Sequence, residues 1–292
     1  MSDESFSAPF DAIAGQYDSV FTETAVGRLQ RAIVHDFLEK WLAQNQINKS
    51  TNHRINILEL NCGTGEDAIW LARRGCRVLA TDVSPEMVAV AREKVRRARL
   101  ENLVDVRVCP IQEIGNWELE IGNSGTSPIP NSQFPIPNFD IVFSNFGGLN
   151  CISPPDLERF GTEVLPKILK PGGQFVAVAM GRFCWWETAY FLAKGQWRAA
   201  FRRRSKMPVA ARLDANTTVK TWYYSPQELS EFITHHSSLI THPVGFWLPP
   251  SYLDPLFRRF PRLLRGLDFL EKHCRGRAWA SAADHYLIGM RD

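Results

Sequence analysis

Short apolar runs separated by amphipathic stretches set the rhythm of the chain. Ile55, Ile57, Leu58 and Leu60 form a run of the length and density of a strand buried on both faces. Ala68, Ile69, Leu71 and Ala72 then recur at helical spacing over 66–74. Gly75 is placed to end that helix, because glycine takes the left-handed cap without a Cβ clash. A second strand over 77–81 ends at Asp82. Ser84-Pro85-Glu86 opens a helix to about Arg99, with serine as cap, proline in the first turn and an acid at the positive end. Further strands are expected over 103–108, from Phe139, over 175–180, over 239–248 and over 285–290. Ahead of them all, Leu29, Ile33, Phe37 and Trp41 stand four apart and predict a helix over 26–42. Strands alternating with helices predict an α/β fold with a mainly parallel sheet.

At 292 residues there is room for one large α/β domain or two small ones. Hydrophobic residues make up 45% and charged residues 22%, and a net charge of +3 is too mild to imply a nucleic-acid partner. The six cysteines show no CxxC pair and no metal-ligand spacing, which suits reduced thiols and a cytoplasmic setting. The acidic N-terminus lacks an apolar segment, and no apolar run reaches the ~20 residues of a membrane span. Residues 122–138 are rich in Gly, Pro, Ser and Asn and read as a disordered surface insertion between the third and fourth strands.

The chemistry starts where Asn61-Cys62-Gly63-Thr64-Gly65 interrupts the first strand and helix. In open α/β sheets, ligands bind outside the carboxyl ends of the strands. Glycines there admit close backbone approach, and Asp82 on the neighbouring strand tip can accept both hydroxyls of a ribose. A nucleoside-bearing cofactor follows, and two kinds compete. Gly63 to Ala68 satisfies the G-x-G-x-x-G/A dinucleotide pattern, with Asp82 following as its acid, which keeps an NAD-dependent oxidoreductase open. The wider frame, ELNCGTG, resembles the E/D-x-G-C-G-T-G signature of class I S-adenosylmethionine-dependent methyltransferases, with Asn61 in place of a glycine. Asparagine tolerates the left-handed backbone that such a turn demands. Phe10–Asp18 resembles the family's F-D-x-x-A-x-x-Y-D segment, Phe139–Ser144 its F-D-x-V-x-S strand, and Leu169–Gly173 its L-K-P-G-G turn.

This resemblance implies a Rossmann-like, doubly wound and mostly parallel seven-stranded sheet. Its last strand would run antiparallel beside the sixth, with helical insertions after strands five and six. S-adenosyl-L-methionine is the implied cofactor. Glu59, Asn61, Gly63 and Gly65 would line its methionine and ribose side, Asp82 and the adjacent Val83 its ribose, and Tyr17 its methionine end. The aspartate that relatives offer to adenine is replaced by Cys109-Pro110-Ile111-Gln112, leaving Ile111 and Gln112 as the adenine candidates. Asn145 and Phe146 are expected at the site wall.

The whole of 1–292 is read as a single methyltransferase domain with two excursions. Residues 181–215 carry arginines and aromatics with one early acid, Glu187, and 249–277 is again basic and apolar. The first is read as a lid over the acceptor, a face resting on a membrane, or a packed insertion with an exposed basic face. Arginines beside aromatics also suit RNA, but nothing else in the chain supports it. No His, Asp or Glu stands out as a general base, Glu187 being only a guess, and no cluster suggests a metal. The expected activity is methyl transfer to a small, hydrophobic or amphipathic acceptor, as in the group that includes quinone-biosynthesis enzymes. The alternatives are the oxidoreductase and a non-catalytic S-adenosylmethionine-binding partner protein.

Overall fold

Five parallel strands carry the nucleotide-binding half of the molecule in this computed structural model, which describes residues 8–47, 54–116, 139–233, 238–274 and 276–291. They are β1 (Asn56–Leu60), β2 (Arg77–Asp82), β3 (Val104–Val108), β4 (Phe139–Ser144) and β5 (Leu169–Met180). Every residue of β1 and β4 is buried, as a continuous apolar run between two helical layers requires. A two-stranded sheet of β6 (Val209–Arg212) and β7 (Thr218–Thr221) follows, then β8 (Ser238–Val244) and β9 (His285–Arg291). The seven-stranded sheet has the order β3-β2-β1-β4-β5-β9-β8, and β9 runs antiparallel to both its neighbours. This is the doubly wound topology expected, with the last strand inserted beside the sixth of the sheet.

The helices before β3 end where local chemistry dictates. α1 (Ala25–Ile47) presents Ile33, Val34, Leu38, Trp41 and Leu42 to the core. α2 (Glu66–Ala72) leads to Gly75 at φ +84°. α3 (Pro85–Ala98) is capped by Ser84, whose hydroxyl accepts from the Met87 N–H at 3.1 Å. At the helix Pro226–Ile233 the capping box is reciprocal: Ser225 N donates to Glu228 Oε2 at 2.8 Å, and Glu228 N to Ser225 Oγ at 3.2 Å.

Three expectations need adjusting. The strand foreseen over 239–248 stops at Val244, because the N–H groups of Gly245, Phe246, Trp247 and Leu248 all donate to the buried Glu271 carboxylate, at 2.6–3.1 Å. β5 starts at Leu169 rather than Phe175 and takes in the Pro-Gly-Gly turn, with a register shift against β4. The insertion after β5 is not wholly helical: helices Trp185–Ala193 and Trp197–Ala200 give way to the β6–β7 hairpin. The insertion read over 122–138 lies outside the described residues. All six cysteines are free thiols.

Candidate active site

Gly63, Thr64 and their neighbours turn the chain at the carboxyl edge of β1. Asn61 adopts φ +54° and Gly63 φ +53°, so the asparagine occupies a left-handed position with its side chain in place. Its Cβ faces the loop after β4, where a methyl on Gly148 would stand 2.5 Å from it. A glycine at 148 therefore makes room for the side chain at 61. Gly65, at φ +77°, packs instead against α3: a Cβ there would lie 2.9 Å from Ala91 Cβ. The second glycine of the motif is thus a helix-packing residue and does not line the cavity.

That turn opens into a cavity of about 510 Å³, within the range of small-molecule sites. Tyr17, Glu59, Asn61, Gly63, Asp82, Val83, Ile111, Gln112 and Asn145 all line it, so the structure gathers every expected site residue except Gly65. Asp82 is held by two backbone donors, Gly63 N to Oδ2 at 2.8 Å and Ser84 N to Oδ1 at 2.9 Å. Each carboxylate oxygen keeps acceptor capacity for a ligand. Burial pushes its pKa up, against the pull of those two N–H groups. Glu59 is 1% exposed, its Oε2 has no hydrogen-bond partner among the described residues, and burial followed by the charge of Asp67 drives its pKa well above the usual carboxylate value.

The segment ahead of α1 is pinned over this cavity by the two aspartates of its own motif. Asp11 accepts from the Ser84 hydroxyl and, at 3.2 Å, from Glu86 N. Asp18 accepts from Thr64 Oγ1 at 2.6 Å and pairs with Lys94 at 2.9 Å. The pins place Tyr17 in the wall, where burial pushes its hydroxyl up to about 12. Burial therefore disfavours the ionised form of the Tyr17 hydroxyl.

Sequence reasoning missed Arg31, Asp67 and the pairing of β6 with β7. Arg31 pairs with Asp67, which also bonds His35 at 2.7 Å and accepts from Asn145 Nδ2 at 2.9 Å. Burial raises the Asp67 pKa, but Arg31 and His35 outweigh it and hold the carboxyl well below its usual range. The guanidinium of Arg31 stacks 5.0 Å from the Phe146 ring. Asn145 lines the cavity with both ends of its amide engaged, since its Oδ1 also accepts from Phe146 N at 2.9 Å. That local bond accompanies the positive φ of Phe146, +40°. Gln112 similarly donates to Asp156 at 3.2 Å.

Of the stretch 181–215, only Ala210 lines the cavity, and Thr218, Val219, Lys220 and Trp222 complete that wall from beyond its end. Glu187 is no candidate base. It is 1% exposed and bound by Arg202 and Arg203, while Arg203 also pairs with Asp284 at 2.8 Å. Burial first disfavours the Arg203 charge, yet Asp284 and Glu187 raise its pKa well above the ordinary value. No group of three metal-ligating side chains occurs among the described residues.

Residues 57–121 match the family model described as a methyltransferase domain. The chain is 28% identical over 170 residues to the demethylmenaquinone methyltransferase of Clavibacter sepedonicus, covering 58% of this chain and 56% of that one. The corresponding protein of Listeria welshimeri serovar 6b is 28% identical over 172 residues, covering 58% and 59%. The match thus spans little more than half the length of these relatives. Among solved structures, a DhpI-SAM-HEP complex superposes with a TM-score of 0.53 at 18% identity, covering 97% of this chain and 94% of that one. A protein of Pyrococcus horikoshii OT3 gives 0.51 at 16% identity, covering 94% and 98%. The glycine turn lies inside the residues that match a methyltransferase domain, and these solved structures share the fold of the chain.

Proposed function

We propose that this cavity binds S-adenosyl-L-methionine and transfers its methyl group to a small, hydrophobic or amphipathic acceptor. The observation that carries the reading is Glu59, a buried carboxylate with an unpartnered oxygen, beside an Asp82 anchored at both oxygens. A ligand bearing positive charge and a ribose fits both needs, and a cation stabilises the ionised form that burial disfavours. Asp82 would hold the ribose hydroxyls, Gly63 gives the backbone close approach, and Tyr17 closes the methionine end. Ile111 forms an apolar floor for the adenine, while Gln112, tied to Asp156, borders it.

Bound there, the sulfonium supplies an activated methyl carbon. The chain's own task is then to place an acceptor in line with it and exclude water, and positioning of this kind can be worth ~7–11 kcal/mol. Phe10, Phe146, Ile152, Val219 and Trp222 give the remaining wall its apolar character, which supports a hydrophobic acceptor. The pinned N-terminal segment and the hairpin are the natural covers. The named relatives act, by their names, on demethylmenaquinone, so its reduced form is the first acceptor to try.

The test is incubation with S-[methyl-³H]adenosylmethionine and a panel of reduced quinones, phenols and carboxylic acids. Label passing into a solvent-extractable product is the expected result. Tight cofactor binding with no transfer to any acceptor would instead support a binding protein without turnover.

A further inference from the structure

We propose that the ridge of Tyr252, Leu256, Phe260 and Leu263, with the arginines around it, seats the protein on an anionic lipid surface. These four side chains recur at spacings of four, four and three, and each is about half exposed, from 45% for Tyr252 to 54% for Phe260. Their neighbours Leu253, Phe257 and Leu264 point the other way, into the core beside α1. The segment therefore has one face that the fold uses and one that it leaves apolar and open. The helix Pro261–His273 extends that open side with Leu270 and Phe269, the latter 63% exposed. Scattered exposed leucines are ordinary, but a contiguous run along the successive helices Ser251–Leu253, Asp254–Phe257 and Pro261–His273 marks an interaction surface.

Charge decides what fits it. Arg258, Arg259, Arg262, Arg265 and Lys272 are all exposed on the same segment. Its acids do not offset them: Asp254 is buried and accepts from Val26 N, Glu271 is buried under four backbone N–H groups, and Asp268 pairs with Lys272. Among the described residues no carboxylate pairs with the four arginines. Apolar side chains flanked by unneutralised cations match the headgroup and acyl boundary of an anionic bilayer. A second copy of the chain would bring the same cations face to face, which disfavours a symmetric pairing. No helix among the described residues is long and apolar enough to cross a membrane, so the contact is peripheral.

The ridge also reaches the cavity cover. The turn Asp18–Thr22 packs on Ser251–Leu253, and its Val20 is 57% exposed, three residues from Tyr17. A hydrophobic ligand dissolved in the bilayer would meet the protein at the segment that closes the cavity. The lipid contact itself does not depend on methyl transfer.

The test is co-sedimentation of the full chain with vesicles of phosphatidylcholine alone and of phosphatidylcholine mixed with phosphatidylglycerol, at low and high salt. Binding to the mixed vesicles is expected, weakened by salt and about tenfold or more weaker on phosphatidylcholine alone. Phe260→Asp with Leu263→Asp, and separately Arg259→Glu with Arg262→Glu, should each cut binding about tenfold or more at unchanged melting temperature. If either pair unfolds, Arg262→Gln alone should still weaken it by about fivefold. Failure to sediment with the mixed vesicles, or variants that bind as the parent does, would overturn the proposal. So would a parent dimer that Leu263→Asp dissociates while vesicles are ignored.

Discussion

Buried carboxylates serve opposite purposes at the two ends of this molecule. In the C-terminal excursions Glu271 and Glu187 are saturated: Glu271 takes four backbone N–H groups and Glu187 takes two guanidinium groups. At the carboxyl edge of the sheet Glu59 Oε2 is unpartnered and Asp82 is held only from behind, while Asp67 beside them is paired by Arg31, His35 and Asn145. The saturated sites tie distant elements together, Glu187 and Arg203 to β9 and Glu271 to the loop after β8. A buried carboxylate without a partner weakens a fold, and at Glu59 a cationic ligand would relieve that cost. The contrast separates scaffold from binding site more sharply than burial does, since Glu59 and Glu187 are both 1% exposed.

The largest expected effect lies in the scaffold. Arg203→Ala leaves two buried carboxylates without their shared partner and should cost about 3–5 kcal/mol in denaturant unfolding. Cofactor affinity of the protein that remains folded should be unchanged, and a large loss of affinity would break the division. Glu59→Gln should act with the opposite sign on the two properties. Burial raises the folded pKa of Glu59, so the unfolded chain, near 4.3, loses its proton first as pH rises. The ligand-free wild type is then penalised by up to ~1.4 kcal/mol per pH unit above about 4.3, until the folded pKa is reached. Relative to wild type, the glutamine variant should gain melting temperature at neutral pH, gain nothing below pH ~4, and bind S-adenosylmethionine more weakly.

A smaller effect isolates the turn. Gly148→Ala places a methyl 2.5 Å from Asn61 Cβ and should cost ~1–3 kcal/mol by overpacking. Asn61→Gly in the same chain should recover most of it, and a double-mutant cycle without coupling would refute the pairing. The smallest effect is expected at the adenine end. Gln112→Ala should change cofactor affinity by under about 1 kcal/mol, because its Nε2 is already engaged by Asp156.

What the sequence revealed follows the range of the interactions. The left-handed turn at Asn61 and Gly63, the cap at Ser84 and the strand-tip Asp82 are each decided by residues a few positions apart, and all were legible. The Phe10–Asp18 segment was legible as a motif, but its two aspartates as pins on Ser84 and Thr64 were not. Asp67 depends on Arg31 and Asn145, which no local pattern connects to it. Of the 181–215 stretch, only Ala210 lines the cavity, for the same reason. The aromatic and basic stretch drew the eye, yet Trp185 and Trp186 donate to the carbonyls of Phe246 and Trp247, while two four-residue strands with little apolar signature reach the cavity. Likewise the early end of β8 is set by a glutamate far along the chain.

Glu59 and Asp82 mark the proposed nucleoside cofactor site. Calorimetric titration with S-adenosylmethionine, S-adenosylhomocysteine and NADH, repeated on Asp82→Ala, tests it most directly. Losing the ribose contact should weaken the first two by roughly 1.5–3 kcal/mol, about ten- to 150-fold, with NADH silent throughout. Binding of NADH alone, or methyl-donor binding that ignores Asp82→Ala, would contradict it.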